Sequence, residues 1–384
     1  MTKTVLLTIG RLPKALDFAR SFHMAGWRVL VAEPFKTHLT GASNCVAHSF
    51  TVPPPCDGKQ AYLEALAKIV TEQRVDLVLP LSEETLHVAH LRALLPKDVQ
   101  VYAPLPAMLL TLHNKAAFNA LAQHHGLAVP ETAMLGTHAA RNIAAQFDYV
   151  IKPIYSCSGR GVSLHKAGDA LSFEVGAERA IVQQQLSGAQ YSTFAIAHKG
   201  QVAINVTYRG TIMSGSVAVA FERVEIAAIT HWVTNFVAAI GHNGFISFDF
   251  FVDEDGVARA IECNPRVTSG VHFIETEDLA PAILLSSSLP IRLKPVTKLM
   301  QFYPTLTEVQ ASMFGPKFII NVKKMLACSD VTWSKTDPMP FITMPITAFT
   351  IIAKSIRQQK SFGEVSTADI SWFDGERLSR SADR

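Results

Sequence analysis

The first hundred residues alternate two apolar rhythms. Runs in which nearly every position is apolar, at residues 4–9, 28–32 and 76–79, read as strands buried on both faces. Between them apolar residues recur every three or four positions. Ala15, Leu16, Ala19 and Phe22 fall on one face of a helix over residues 14–25, closed by Gly26, and residues 62–70 repeat the pattern. Residues 83–94 continue as helix and 99–102 as a short strand. This alternation predicts a parallel sheet covered on both sides.

Past Pro104 and Pro106, which mark a linker, the rhythm changes. A helix over 115–125 stops at Gly126, and the apolar strand 149–153 ends in Lys152-Pro153 before a loop of small residues, 156–162. Residues 191–198 and 201–208 form a hairpin around Lys199-Gly200, while Arg209-Gly210 and Ser214-Gly215 read as loop. After a helix over 225–240, residues 245–252 are almost continuously apolar except for Asp249. The acidic turn Asp253-Glu254-Asp255-Gly256 then returns the chain through 257–261 into Glu262, Cys263, Asn264, Pro265 and Arg266. From about residue 295, amphipathic stretches at 306–313 and 317–326 and a proline-rich segment at 337–341 predict a packed, mainly helical extension, frayed after Glu376.

Composition narrows the class. The chain has 384 residues, 48% apolar and 17% charged, enough for two or three domains around a large core. A net charge of +3 without a basic run argues against a nucleic-acid binder. Five scattered cysteines (Cys45, Cys56, Cys157, Cys263 and Cys328) without CxxC spacing fit reduced thiols in a cytoplasm. No stretch offers about 20 uninterrupted apolar residues, so no membrane span is expected.

The hairpin carries the sharpest candidate chemistry. Asp249 and Glu262 lie 13 residues apart on its two arms, and period-two alternation puts Glu262 and Asn264 on one face. Two carboxylates and an amide oxygen there suit a hard cation such as Mg2+, and Arg266 adds the opposite charge that an anion would need. Local capping and a sheet-edge carboxylate are the alternatives. Lys152 ends an apolar strand, and the loop behind it, with Ser158 and Gly159, lets backbone N–H groups approach phosphate oxygens. Lys115 stands in the first turn of its helix, where a cation opposes the helix dipole. Residues 8–13 hold one glycine where a dinucleotide fingerprint needs three, and no GxxxxGK[ST] loop occurs. Glu33 and Ser82-Glu83-Glu84 sit at strand ends on the ligand-binding side of such a sheet, although helix N-caps and first-turn acids explain them better.

The Asp-x12-Glu-x-Asn-Pro-Arg run, the strand-Lys-Pro-loop and the segment 180–192 follow one another in an order that resembles the ATP-grasp enzymes, especially carbamoyl-phosphate synthetase and D-alanine–D-alanine ligase. The resemblance covers roughly residues 1–290. It implies an α/β fold in three parts: a Rossmann-like domain at 1–105, a two-lobed nucleotide domain at 106–292 hinged near 181–192, and a C-terminal extension at 293–384. It implies ATP with Mg2+, or Mn2+, held by Asp249, Glu262 and Asn264, and Lys115 and Lys152 on the phosphates. Gln183 would meet the adenine amino group, Leu186 would offer its backbone, and Gln190 would sit at the ribose. The family usually has glutamate at the first and last of these, so the amides leave nucleotide affinity and choice open. The implied reaction joins a small-molecule carboxylate to an amine through an acyl phosphate, with Arg266 docking the acid and holding the transferring phosphoryl group. A kinase-like reaction and a regulatory or scaffold protein with lost turnover stay open, as does a homodimer.

Overall fold

The computed structural model describes residues 2–156, 159–171, 179–285, 290–358 and 362–371. The N-terminal part is built as the apolar runs require. Strands β1 (Thr4–Leu7), β2 (Arg28–Glu33), β3 (His48–Thr51), β4 (Leu77–Leu79) and β5 (Gln100–Val101) make a parallel sheet in the order β3-β2-β1-β4-β5. Helices α1 (Pro13–Met24), α2 (Lys59–Gln73) and α3 (Thr85–Val88) cover it. Every residue of β1 and β4 is buried, because a parallel sheet flanked by helices has no wet face. Only the first turn of the segment expected as one helix over 83–94 is α-helical; the rest tightens into a 3-10 turn.

The expected linker holds a helix of its own, α4 (Pro106–His113), with Pro106 at its first position, where a missing N–H costs nothing. Asn114 then caps α5 (Lys115–His124), its side-chain oxygen accepting from the Ala116 and Ala117 amides. A four-stranded antiparallel sheet follows, β6 (Thr132–Met134), β7 (Tyr149–Pro153), β8 (Ser163–His165) and β9 (Ala180–Gln184), in the order β6-β9-β7-β8 with α6 (His138–Gln146) packed on it.

The largest sheet has seven strands. Its centre is β10 (Ala189–His198), β11 (Gln201–Ser214), β12 (Val217–Val224), β13 (Gly244–Val252) and β14 (Ala258–Asn264), with α7 (Ala227–Ala239) between β12 and β13 in sequence. Arg209-Gly210 lies inside β11 rather than in a loop, since β11 runs on to Ser214 before turning. Beyond α8 (Thr276–Leu284), β15 (Lys298–Met300) and β16 (Ser329–Asp330) complete the order β14-β13-β10-β11-β12-β15-β16. The C-terminal part is therefore not only helical: besides α9 (Phe302–Ala311), α10 (Phe318–Leu326), α11 (Met339–Gln358) and α12 (Phe362–Thr367), it supplies two sheet strands. These strands are three and two residues long, too short to leave a pattern in the sequence.

Gly188 joins the two sheets at φ +118°, and a β-carbon there would lie 2.1 Å from the Val252 carbonyl oxygen, so only glycine fits. One apolar core runs from the N-terminal sheet into the large one: Phe18 of α1 lies 5.4 Å from Phe245 of β13, and Ile370 near the chain end is fully buried in the same cluster. A second core holds the other face of β13, where Ile246, Phe248 and Phe250 pack against α5 and α7. No helix among the described residues is long and apolar enough to cross a membrane.

Candidate active site

The alternation along β13 sorts its residues cleanly. Ile246, Phe248 and Phe250 enter the core, while Asp249 and Phe251 line a cleft of about 960 Å³ between the two sheets and the N-terminal domain. The return strand needs one irregularity to complete the site. Phe250 pairs with Ala260 and Val252 with Ala258, a register that would set Asp249 against Ile261. A β-bulge there sets Asp249 against Glu262 and Ser247 against Asn264 instead. It leaves Ile261 beside Glu262 on the cleft wall, and the Ile261 carbonyl accepts a hydrogen bond from Lys152 Nζ at 3.3 Å.

The expected carboxylates and amide meet. Asn264 Nδ2 donates to Asp249 Oδ2 at 3.2 Å and to Glu262 Oε1 at 3.3 Å, and Ser192 Oγ donates to Asp249 Oδ1 at 2.5 Å. Glu262 Oε2 lies 3.4 Å from Lys115 Nζ, which also donates to the carbonyl and hydroxyl oxygens of Ser156 at 2.8 and 3.1 Å. Burial, and then the Glu262 charge, push Asp249 up to about 7. Burial opposes ionisation of Glu262 as well, but Lys115 and Lys152 outweigh it and hold this carboxyl well below its ordinary value. Lys152 is pushed down to about 8, mainly by burial. Among the described residues no three His, Cys, Asp or Glu side chains converge, so a cation here would complete its shell with oxygens from elsewhere, as Mg2+ commonly does with phosphates.

Arg266 reaches away from these carboxylates. Its Nη2 pairs with Glu83 Oε1 at 2.6 Å, across the cleft at the end of the N-terminal sheet, and donates to Asn264 Oδ1 at 3.2 Å. Glu83 therefore leaves the capping role open to it in the sequence, and Glu84 makes no side-chain cap either but ties the preceding loop to the end of β1. Glu84 Oε1 accepts from the Leu81 and Ser82 amides and the Thr8 hydroxyl. Glu33 is structural too, accepting from the Gly10, Arg11 and Phe35 amides and from Arg11 Nε. Arg223, whose Nη1 donates to the Lys294 carbonyl, does not line the cleft.

Gln183, Leu186 and Gln190 all line the cleft, as does Gly159 from the small-residue loop; Ser158 lies outside the described residues. Gln183 is buried and spends its amide on Thr132 Oγ1 at 2.9 Å, while Gln190, opposite Phe251, is exposed. Ser192 and Lys14 are among the polar cleft residues that escaped the sequence reading. Ser192 carries no pattern that marks it. Lys14 does: it sits in the first turn of α1, buried, with Nζ donating to the Val267 carbonyl at 2.8 Å, and burial beside Arg266 pushes it down to about 7. The helix-dipole conflict that singles out Lys115 applies equally to Lys14.

A second cavity of about 620 Å³ lies where α1 meets the C-terminal part, lined by Asp17, Arg20, His272, Lys294, Asp330 and Asp337 among others. Asp17 Oδ2 and His272 Nδ1 are 2.5 Å apart there, and His272 also borders the main cleft.

An antiparallel four-stranded lobe and a larger antiparallel lobe closing on a charged cleft, behind a small parallel α/β domain, define the ATP-grasp fold. Residues 113–270 match the family described as ATP-grasp domain. Biotin carboxylase from Campylobacter jejuni is similar in structure, with a TM-score of 0.63 and 16% identity over 76% of this chain and 74% of that one. N5-carboxyaminoimidazole synthetase from Staphylococcus aureus gives a TM-score of 0.58 and 14% identity over 76% and 81%. L-amino acid ligase from Bacillus licheniformis gives 0.53 and 19% over 70% and 68%. No curated protein sequence matches the chain.

Proposed function

We propose that the chain is an ATP-dependent ligase that joins a small-molecule carboxylate to an amine through an acyl phosphate, releasing ADP and phosphate. One observation carries the reading: a single cleft gathers the Asp249–Glu262–Asn264 face, two buried lysines and Arg266, and opens on the N-terminal domain through Glu83. The ligase named among the similar structures, and those described with ATP or MgADP, support it.

Two buried carboxylates that share the Asn264 amide N–H as a donor fit a divalent cation between them. Asp249, Glu262 and, with its side-chain amide turned to present Oδ1, Asn264 would hold Mg2+, which when bound neutralises the phosphates of ATP. Lys115 and Lys152 hold phosphate oxygens, aided by the loop at Ser158 and Gly159. Gln183, Leu186 and Gln190 hold the adenine and ribose. Arg266 docks the incoming carboxylate, whose oxygen attacks the γ-phosphorus as the bond to the ADP oxygen breaks. The amine nitrogen then attacks the acyl carbon, loses a proton, and phosphate departs. Holding these groups in line, and placing a guanidinium against the developing charge, supplies the rate. In this reading residues 1–105 contribute the second-substrate side, 106–292 the nucleotide site, and 293–384 the extension that closes around both.

The test is an ADP-release screen with Mg2+ and ATP against mixed amino acids, hydroxy acids and fatty acids, with hydroxylamine as the trap. An acyl hydroxamate formed together with ADP is expected. AMP and pyrophosphate would show adenylate chemistry and sink the proposal.

A further inference from the structure

The C-terminal part carries an unusual surface. Phe314 is 97% exposed at the bend between α9 and α10, and Ile319 and Leu326 of α10 are 66% and 76% exposed. Helix α10 buries none of its residues fully, resting on α9 through Phe318, Val322 and Met325. Helix α11, which also packs on α9, exposes Met339, Ile342, Ile346 and Phe349, a stripe with the spacing of one helix face. Monomeric proteins seldom leave so many large apolar side chains in water within one short span.

Among the described residues of the span 313–349 the exposed charges are of one sign. Lys317, Lys323, Lys324 and Lys335 are exposed within residues 313–349, and Arg357 follows on α11. The acids of that span, Asp330 and Asp337, are turned inward: Asp330 accepts the Phe302, Thr332 and Trp333 amides, and Asp337 binds Arg20, Ser43 and the Asn44 amide. We propose that α10 and the exposed stripe of α11 dock together on an anionic lipid surface, with Phe314 and the exposed apolar residues entering the interface and the lysines meeting the headgroups.

Two features favour lipid over protein. In a two-fold contact the same patch meets itself, so a second copy would press lysines against lysines without an acid to offset them. Neither cavity described above is lined by α10 or by this stripe of α11. A fluid bilayer needs no matching pocket, and apolar-plus-lysine helices of this kind lie in its interface. The inference is independent of the ligase reading, since none of these residues belongs to the cleft.

Flotation of the full chain with vesicles tests it directly. Binding is expected to vesicles of phosphatidylcholine mixed with phosphatidylglycerol, not to phosphatidylcholine alone, and it should fall as salt is raised. Lys317→Ala with Lys323→Ala should weaken binding roughly 25-fold, about fivefold per cation removed, and Phe314→Glu or Phe349→Glu should abolish it. These positions are exposed, so unchanged circular dichroism is expected throughout. Failure of the unmodified protein to float with the anionic vesicles would overturn the proposal. So would binding that ignores both salt and the lysine substitutions. A concentration-dependent dimer that Phe349→Glu dissolves, with no vesicle binding, would assign the face to a second copy instead.

Discussion

Asp249 and Glu262 face each other across a hairpin with opposite affinities for a proton, and the difference lies in their neighbours. Glu262 has Lys115 and Lys152 beside it, whereas Asp249 has a serine hydroxyl, an amide and the Glu262 charge. Removing the Glu262 charge should therefore cripple the side of the pair that stays ionised. Under the proposed function, Glu262→Gln should lower ADP release by about two orders of magnitude, on the scale of losing one charged group at a transferring phosphoryl, with the thermal midpoint little changed. Normal turnover at ordinary Mg2+ would remove this hairpin from the mechanism. Gln190 gives a gain-of-function counterpart. It is exposed in the cleft, and Gln190→Glu should tighten ATP several-fold, since charge-assisted hydrogen bonds are about twice as strong as neutral ones. An unchanged calorimetric dissociation constant would show that the ribose lies elsewhere.

At the scale of elements, β13 is the strand on which the architecture turns, with one face committed to the core and the other to the cleft. Phe248 is fully buried and lies 5.1 Å from the Trp232 ring and 5.4 Å from Phe236 on α7. Phe248→Ala should cost about 3–5 kcal/mol in urea unfolding, the transfer of a large ring plus the cavity left behind. A loss under about 1 kcal/mol would mean that the strand repacks freely. The two arms of this hairpin and their shared face are legible in the sequence, because period-two burial and an acidic turn are local signals. The bulge at Ile261 is not, because it exists only as an offset between two paired strands. Nor is the Arg266–Glu83 pair, whose partners belong to different sheets. The small strands β15 and β16 escape for a related reason: two or three residues cannot express a period, and only the edge of β12 recruits them.

Across the whole molecule, buried ion pairs stitch the parts together. Asp17 on α1 meets His272 and, at 3.9 Å, Lys294 from the later sequence. Burial works against its charge, but His272, Lys294 and Arg20 prevail and hold it below the ordinary carboxylate value. The sign follows: stability from this group is fully present above the unfolded value of about 3.9 and is lost as pH falls through the depressed folded value. Asp17→Asn should cost about 3–5 kcal/mol at neutral pH, the scale for breaking a buried pair, and the gap to the unmodified protein should close in acid. A gap that persists undiminished to roughly pH 2 would show that the lost packing, not the charge, matters. Asp369 makes the corresponding tie at the other end. Its Oδ1 lies 2.7 Å from Nη1 of the buried Arg11, and Asp369→Asn should lower the urea stability by about 1–3 kcal/mol; an unaltered midpoint would mean that Glu33 alone satisfies Arg11.

The pair between Arg11 and Asp369 also sets an order of events during synthesis. The parallel sheet is made before the segment that completes it, for the cleft beside its strand ends is lined by Ser366 and Thr367, Asp369 pairs with Arg11, and Ile370 fills its core. Until those residues emerge, Arg11 and Glu33 face water, and the contacts that finish the domain span almost the entire chain. The domain is thus completed only once the distant segment around Asp369 has been made, which makes its closure slow.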